Sequence, residues 1–194
     1  MINSKVSSRI PALRIWALLA MFIMVLYLAG CSSNPPAKEE IKPSTQNIEA
    51  TKDYQTYTDA TNAFTMKYPA DWKQEKQDGT LVAFSSPDME NVNVVSEDLS
   101  QHSISLADYV KASLSQIEKG VKNYKLISST TTTMGSIAAQ KIVYTGNMEN
   151  MDLQFMQVMT IVNKKAYVFT YTSLPANYDK HSGTVQTMID SFSI

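Results

Sequence analysis

The stretch LQFMQVMTIV (Leu153–Val162), NKK (Asn163–Lys165) and AYVFTYTSL (Ala166–Leu174) decides the fold of this 194-residue chain. Both flanking segments are rich in β-branched and aromatic residues, which favour strands. Three polar residues are too few for the crossover that parallel strands need, so the two strands are predicted to pair antiparallel. The first segment is apolar at consecutive positions, which indicates a central strand covered on both faces.

Other segments with strand patterns extend this sheet along the chain. They either alternate large and polar side chains or carry β-branched runs, and both patterns are typical of strands. Asp78-Gly79 is the strongest hairpin signal in the sequence, and Pro69 ends the first of the segments. The predicted strands are Phe64–Tyr68, Trp72–Gln77, Leu81–Ser85, Val92–Ser96, Tyr124–Met134 and Gln140–Tyr144.

Two helices are predicted beside these strands. Ser105 is a suitable N-cap, and Asp108 is favourable in the first turn that follows. Gly120 lies where this helix is expected to end. A second helix is predicted over about Ala176–Ser191. The first helix carries one apolar stripe at helical spacing, formed by Leu106, Val110, Leu114 and Ile117.

These elements predict an α+β fold, with an antiparallel sheet of about six to seven strands flanked by helices. The predicted domain covers residues 53–194. A domain of this length buries roughly two-thirds of the surface of its unfolded chain, which is enough for a proper core.

The charge balance and the cysteine content exclude several classes of protein. The chain has 17 basic and 18 acidic residues, and residues 1–30 hold three of the basic ones and no acidic one. The remainder therefore carries a net charge of −4, which offers no basic excess for nucleic acid. The single cysteine, Cys31, excludes an internal disulfide framework and a cysteine-based zinc cluster.

The N-terminal segment has the three parts of a secretion signal. Lys5, Arg9 and Arg14 form a positive region, and Ile15–Gly30 follows without a charge. That run is short for a membrane span, which needs about 20 apolar residues. Its end, Leu-Ala-Gly-Cys with Cys31 last, is similar to the lipobox of bacterial lipoproteins. In such proteins the cysteine thiol receives a diacylglyceryl group and a signal peptidase cuts between the residues equivalent to Gly30 and Cys31.

This interpretation divides the chain into a signal peptide (1–30), a lipidated cysteine with a linker (31–52) and a domain (53–194). The linker contains three prolines and little that could pack, so it is predicted to be a disordered, flexible tether. Two acyl chains supply the two attachment signals that stable anchoring needs. The mature protein is therefore expected on the extracytoplasmic face of the cell membrane, attached through Cys31.

A search for chemistry in the domain finds no recognisable catalytic motif. His102 and His181 each lie among polar residues without metal-ligand spacing, and both are predicted to be surface residues. The sequence has no G-x-S-x-G elbow and no glycine-rich phosphate loop. It therefore predicts no catalytic residue, no metal site and no cofactor, and a protein that is not an enzyme.

Two features remain as candidate contacts for a partner or an ion. Asp88, Glu90 and Asn91 cluster in one turn and could supply some of the oxygen ligands that calcium takes, although an ordinary polar turn is the favoured interpretation. Trp72 is favoured as a core anchor, with an exposed contact for a partner as the alternative.

Seven segments in order resemble the PsbP family, over about Asn62 to Ile194. The most specific parts of the resemblance are Tyr68-Pro69 with Trp72, the Glu90-Asn91 turn into a strand, and the Ser191-Phe192 ending. The segments are FTMKYPADW, ENVNVV, SLADYVKASLSQI, NYKLISS, QKIVYT, NKKAYVFTYTS and MIDSFSI.

The resemblance implies an antiparallel sheet of about six strands between helices. In plants and algae PsbP is an extrinsic subunit of photosystem II that helps retain calcium and chloride at the oxygen-evolving centre. Cyanobacterial relatives are lipoproteins, and many non-photosynthetic bacteria carry PsbP-like lipoproteins. The resemblance thus implies weak calcium binding at most. No counterpart of the plant N-terminal arm is evident here, and no matching set of family metal ligands is found.

Three functions follow as hypotheses. The first is a non-enzymatic binding, assembly or accessory module, anchored by lipid and acting on a membrane-associated protein partner. The second, from the resemblance alone, is an accessory subunit of photosystem II. The third is an enzyme whose site is assembled from residues that are distant in sequence.

Overall fold

The computed structural model describes residues 53–194, which form nine strands, two α-helices and one 3₁₀ turn. The strands are β1 (Tyr54–Asp59), β2 (Phe64–Pro69), β3 (Lys73–Glu75), β4 (Val82–Ser85), β5 (Asn91–Asp98), β6 (Lys122–Met134), β7 (Ile137–Met148), β8 (Met151–Val162) and β9 (Lys165–Ser173). The helices are α1 (Leu106–Gly120) and α2 (Ser182–Asp190), and the 3₁₀ turn is Tyr178–His181.

Seven of the strands form one antiparallel sheet in the order β3-β4-β5-β9-β8-β7-β6. The sheet confirms the predicted fold class. Strands β8 and β9 pair as the sequence predicted, with Val162 opposite Lys165. The two residues between them, Asn163 and Lys164, both have positive φ, as the tight turn of a hairpin requires.

The two faces of the sheet carry separate cores, because successive side chains of a strand point to opposite faces. Strand β8 illustrates this, since Met156 and Val158 belong to one core and Phe155 and Met159 to the other. The expectation that this strand is covered on both faces is therefore confirmed.

The first face is covered by α2 and by the separate hairpin of β1 and β2. An isolated bridge between Thr65 and Ser193 ties that hairpin to the C-terminus. Phe192 stacks on Phe64, with ring centroids 5.3 Å apart, and contacts Tyr167 of β9 edge-on. Aromatic packing thus joins the hairpin, the sheet and the end of the chain.

The second face is covered by α1. Ser105 caps this helix, as predicted, by accepting a hydrogen bond from the backbone N–H of Asp108. Helix α1 buries Tyr109, Val110 and Ile117 against the sheet. The Tyr109 hydroxyl also donates a hydrogen bond of 3.1 Å to Glu97 of β5.

Two predictions needed correction and one set falls outside the described residues. Strand β1 was not predicted, and the second helix is shorter than expected because a 3₁₀ turn precedes α2. The signal peptide (1–30), Cys31 and the linker (31–52) lie outside the described residues. None of the helices within residues 53–194 has the length and apolar character needed to cross a bilayer.

Candidate functional site

A tight turn, Ser86–Glu90, joins β4 to β5 and organises the main candidate site. The Ser86 backbone N–H donates to the Glu90 carbonyl at 2.9 Å, and the backbone N–H groups of Asp88 and Glu90 donate to Ser86 Oγ at 3.1 and 3.0 Å. Met89 adopts a φ of 70°, in the left-handed region, which closes the turn. The turn therefore fixes the positions of both carboxylates.

The carboxylate of Glu90 is buried at the base of this turn. Glu90 is 1% exposed, and acidic residues are almost never buried to this degree unless they are paired. Its Oε2 accepts a hydrogen bond from the Ser86 hydroxyl and lies 3.4 Å from Nε2 of His181. Its Oε1 has no hydrogen-bond partner among the described residues.

His181 reaches the turn from the far end of the chain. It closes the 3₁₀ turn before α2, is 8% exposed, and meets the Trp72 ring edge-on with centroids 5.8 Å apart. Its Nε2 lies 3.2 Å from Oδ2 of Asp88. Packing against Trp72 thus holds the imidazole beside both carboxylates.

Asp88 forms the exposed side of the cluster. Its Oδ2 also lies 2.5 Å from the ammonium of Lys180, and both of these side chains are about half exposed. Hydrogen bonds from Lys180 first, and then from His181, lower the pKa of Asp88 below its ordinary value, and Asp88 raises the pKa of Lys180. We refer to Asp88, Glu90, Lys180 and His181 as the turn cluster.

The chemistry open to the turn cluster is that of binding a small cation. One ligand atom each from Asp88, Glu90 and His181 lie within 4.8 Å of one another, which is close enough to share an ion. The space beside the turn has a volume of about 70 Å³ and is lined largely by apolar side chains, including Met89, Met151 and Leu153. Small-molecule sites usually measure about 300–1,000 Å³, so this space is small for an organic substrate.

A second surface lies on the α1 side of the sheet. A groove of about 630 Å³ runs between α1 and the edge strand β6, and we refer to it as the α1–β6 groove. Leu126 of β6 lines the groove and is 41% exposed, and its neighbour Ile127 is 53% exposed, which is unusual for large apolar side chains. The groove is lined by Ala107, Val110, Lys111, Leu114, Ser115, Glu118, Tyr124, Leu126, Ser129 and Gln140.

The structure sorts the residues that the sequence singled out. Asp88 and Glu90 come together as expected, whereas Asn91 is buried and its Oδ1 accepts a hydrogen bond from Asn93 instead. Trp72 is 3% exposed and belongs to the core, so it is the favoured core anchor and not an exposed contact.

The prediction that both histidines lie at the surface is half wrong. His102 is exposed, but His181 is buried in the turn cluster. The error arose because His181 and Asp88 are 93 residues apart, so no local spacing connects them. The polar neighbours Lys180 and Ser182 suggested an exposed site, although the ring beside them points inward.

The protein is an α+β domain, in which helices cover both faces of one seven-stranded antiparallel sheet. Comparison with known proteins then identifies its family. The sequence matches the family of PsbP-like proteins over residues 15–194, and the chain belongs to that family. A search of curated proteins returns no match to this sequence.

Solved structures share the fold at low sequence identity. The solution structure of cyanobacterial PsbP from Synechocystis sp. PCC 6803 has a TM-score of 0.56 at 16% identity, covering 78% of this chain and 98% of that one. LpqN of Mycobacterium tuberculosis, described as involved in cell envelope biogenesis, has a TM-score of 0.55 at 9% identity, covering 74% and 91%. A mutant of Mog1 has a TM-score of 0.54 at 10% identity, covering 73% and 96%. These likenesses establish the fold and nothing finer.

Proposed function

We propose that this protein is a lipid-anchored, non-enzymatic binding module on the extracytoplasmic face of the cell membrane. Its PsbP-like domain would be held near the membrane by diacylated Cys31 and the linker 31–52. A flexible coil of that length spans roughly 25 Å between its ends. The domain would therefore meet protein partners that lie at the membrane surface.

The observation that carries this proposal is the α1–β6 groove. Helix α1 covers the second sheet face incompletely, so Leu114 remains partly exposed in the groove and Leu126 is exposed at its border. Grooves with an apolar floor and a polar rim are typical of sites that take a segment of another protein. Strand β6 is also an edge strand, with backbone groups on one side that no strand of the sheet pairs.

The lining of the groove carries one basic and one acidic side chain, and further lysines lie close to it in sequence. Lys111 lines the groove, and Lys119, Lys122 and Lys125 follow at the end of α1 and the start of β6. Glu118 is the acidic residue among the lining side chains. An extended or helical segment with apolar side chains would complement this surface, with its charged groups at the rim.

The non-enzymatic part of the proposal has separate support. The turn cluster brings two carboxylates and an imidazole together, which is the convergence that an enzyme built from distant residues would need. Its neighbouring space of about 70 Å³ suits an ion or a few waters better than a substrate. Hydrolytic turnover lost in His181→Ala but kept in His102→Ala would contradict this part.

The role of a photosystem II accessory subunit is not favoured by a particular contact in the domain. Family membership and a shared fold do not transfer an activity. That role stays a prediction, and its first test is whether the source organism makes the photosystem.

Site-specific photo-crosslinking in intact cells tests the proposal. A photoreactive residue at Leu126, which lines the groove and is 41% exposed, is expected to give one discrete protein adduct. The matched position is Gln74 on β3, the opposite edge strand, which is also exposed and is expected to give no such adduct. Leu114→Asp should reduce the adduct at Leu126 without unfolding the domain.

Two further results decide between the outcomes. Cys31→Ala should leave an unprocessed precursor that carries no labelled palmitate. Equal adducts at Leu126 and Gln74, or adducts with lipid alone, would contradict the partner proposal. A Cys31→Ala protein that is still cleaved and labelled would contradict the anchor.

A further inference from the structure

We propose that Asp88, Glu90 and His181 form a binding site for a divalent transition-metal ion of the Zn²⁺ type. The site is independent of the α1–β6 groove, because it lies on the turn between β4 and β5 and at the start of α2. Its ligands would be two carboxylate oxygens and Nε2 of the imidazole.

The spacing of the candidate ligand atoms agrees with such an ion. Nε2 of His181 lies 3.2 Å from Oδ2 of Asp88 and 3.4 Å from Oε2 of Glu90. Ligands about 2.1 Å from a tetrahedral zinc ion lie about 3.4 Å from one another, so these two edges already have the required length. The three ligand atoms all fall within 4.8 Å of each other, so binding needs only a small movement of side chains.

The buried carboxylate of Glu90 provides a second, independent observation. A carboxylate that is 99% buried ordinarily has hydrogen bonds to both oxygens or a cation beside it. Here Oε2 receives the Ser86 hydroxyl, whereas Oε1 has no partner among residues 53–194. A cation bound by Glu90 and His181 would compensate this buried carboxylate, one oxygen of which has no partner among residues 53–194.

The ligand set discriminates between metals. Calcium and magnesium take oxygen ligands, so an imidazole favours zinc and its neighbours in the first transition row. An ion would approach from the side of Asp88, whose side chain is 42% exposed, towards the buried His181 and Glu90. Calcium is therefore expected to compete weakly with zinc.

Lys180 would act as a built-in competitor. Its ammonium already lies 2.5 Å from Oδ2 of Asp88, one of the proposed ligand atoms. Because Lys180 and Asp88 are both substantially exposed, this ion pair is weak and can be displaced. Removal of the ammonium should consequently strengthen metal binding, whereas a purely structural cluster has no reason to respond in this way.

Calorimetric titration of the full chain in detergent with ZnCl₂ tests the proposal. All proteins carry Cys31→Ser, because a free thiol would itself bind zinc. One Zn²⁺ is expected to bind, and the ring signals of His181 in an NMR spectrum should shift while those of exposed His102 stay unchanged. Asp88→Asn should weaken binding by at least about tenfold. Lys180→Met, at a neighbouring exposed position, should tighten it by roughly two- to fivefold, in proportion to an exposed ion pair.

His102→Ala is the matched control and should bind zinc as the parent does, whereas His181→Ala should not bind at this site. Because His181 packs on Trp72, its loss could also unfold the domain, and the two exposed variants Asp88→Asn and Lys180→Met avoid that ambiguity. Absence of zinc binding, shifts of His102 without His181, or identical affinities in the Asp88→Asn and Lys180→Met proteins would each overturn the proposal.

Discussion

The two faces of the central sheet are covered in different ways. The first face carries the larger core, and the second keeps apolar side chains exposed in a groove. The first face lies under α2 and the β1–β2 hairpin and has a core of nineteen buried residues. The second lies under α1 and has a core of thirteen. A seven-stranded sheet is about 29 Å wide, whereas one helix is only about 10 Å across. One helix cannot cover that width, and the α1–β6 groove is one place where the second face stays open.

This comparison places the two candidate sites in different surroundings. The turn cluster is held at the end of the sheet beside Trp72, a member of the larger core, so its side chains have fixed positions. The α1–β6 groove lies over the smaller core, where exposed apolar groups can accommodate a partner. Small ions need fixed ligands, and protein segments tolerate a more adaptable surface.

The largest expected effect on stability is on the first face, which α2 and the β1–β2 hairpin cover. Phe192→Ala should lower the free energy of unfolding by about 3–5 kcal/mol, because Phe192 is buried in the aromatic contacts with Phe64 and Tyr167. Leu114→Ala on the second face, in α1, should lower the free energy of unfolding by only about 1 kcal/mol, because Leu114 is already partly exposed. Urea unfolding of both variants measures the difference. Equal losses of unfolding free energy would show that the two faces bury their side chains to the same degree.

A glycine pair gives the next largest effect. Gly135, in the turn between β6 and β7, has a φ of +57°, and an added Cβ would lie 1.8 Å from the Phe192 carbonyl oxygen. Gly135→Ala should therefore destabilise the protein by about 2–4 kcal/mol.

Gly183→Ala is the matched control, since Gly183 lies in α2 with nothing within 4 Å of an added Cβ. It should stabilise the protein by about 0.5 kcal/mol through the lower entropy of its unfolded chain. Thermal unfolding measures the melting temperature of both variants. If both melting temperatures moved in the same direction, the close contact between Gly135 and Phe192 would not explain the result.

The smallest expected effect on stability concerns the hydrogen bond between Tyr109 of α1 and Glu97 of β5, on the second face. Burial raises the pKa of Glu97 above its ordinary value of 4.5, although the hydrogen bond from Tyr109 opposes this. A carboxyl group with a raised pKa in the folded state stabilises the protein fully below 4.5 and loses that contribution as pH rises through the folded pKa.

Glu97→Gln removes this titration but keeps an acceptor for Tyr109. The free energy of unfolding of Glu97→Gln, relative to the parent, should therefore rise between acid and neutral pH. The rise should be less than about 1 kcal/mol, because Glu97 is partly exposed and solvent screens its charge. Glu75→Gln on exposed β3 measures the background effect of losing one negative charge. A difference that falls with pH would contradict the assigned direction.

Local patterns predicted much of the fold because they reflect local physics. The Ser105 cap, the apolar stripe of α1, the Asp78-Gly79 hairpin and the β8–β9 pair each depend on residues close in sequence. Strand β1 was missed because none of the residues Tyr54–Asp59 is fully buried and the strand pairs only with β2, so its sequence lacks the apolar pattern of a core strand. The predicted second helix included Tyr178–His181, which form a 3₁₀ turn. The Tyr178 carbonyl of this turn accepts a hydrogen bond from the Tyr171 hydroxyl of β9, and the His181 ring contacts Trp72.

The sequence by itself determined the class of fold, the family resemblance and the predicted location of the protein. These depend on short-range features: the alternation of apolar residues in strands, the helix cap and the Gly30-Cys31 end of the apolar run. Only the tertiary structure decided where His181 lies and which sheet face stays open. Both depend on contacts between residues far apart in the chain, such as His181 with Asp88 and α1 with β6. Local spacing carries no record of such contacts, since the folded core alone brings these segments together.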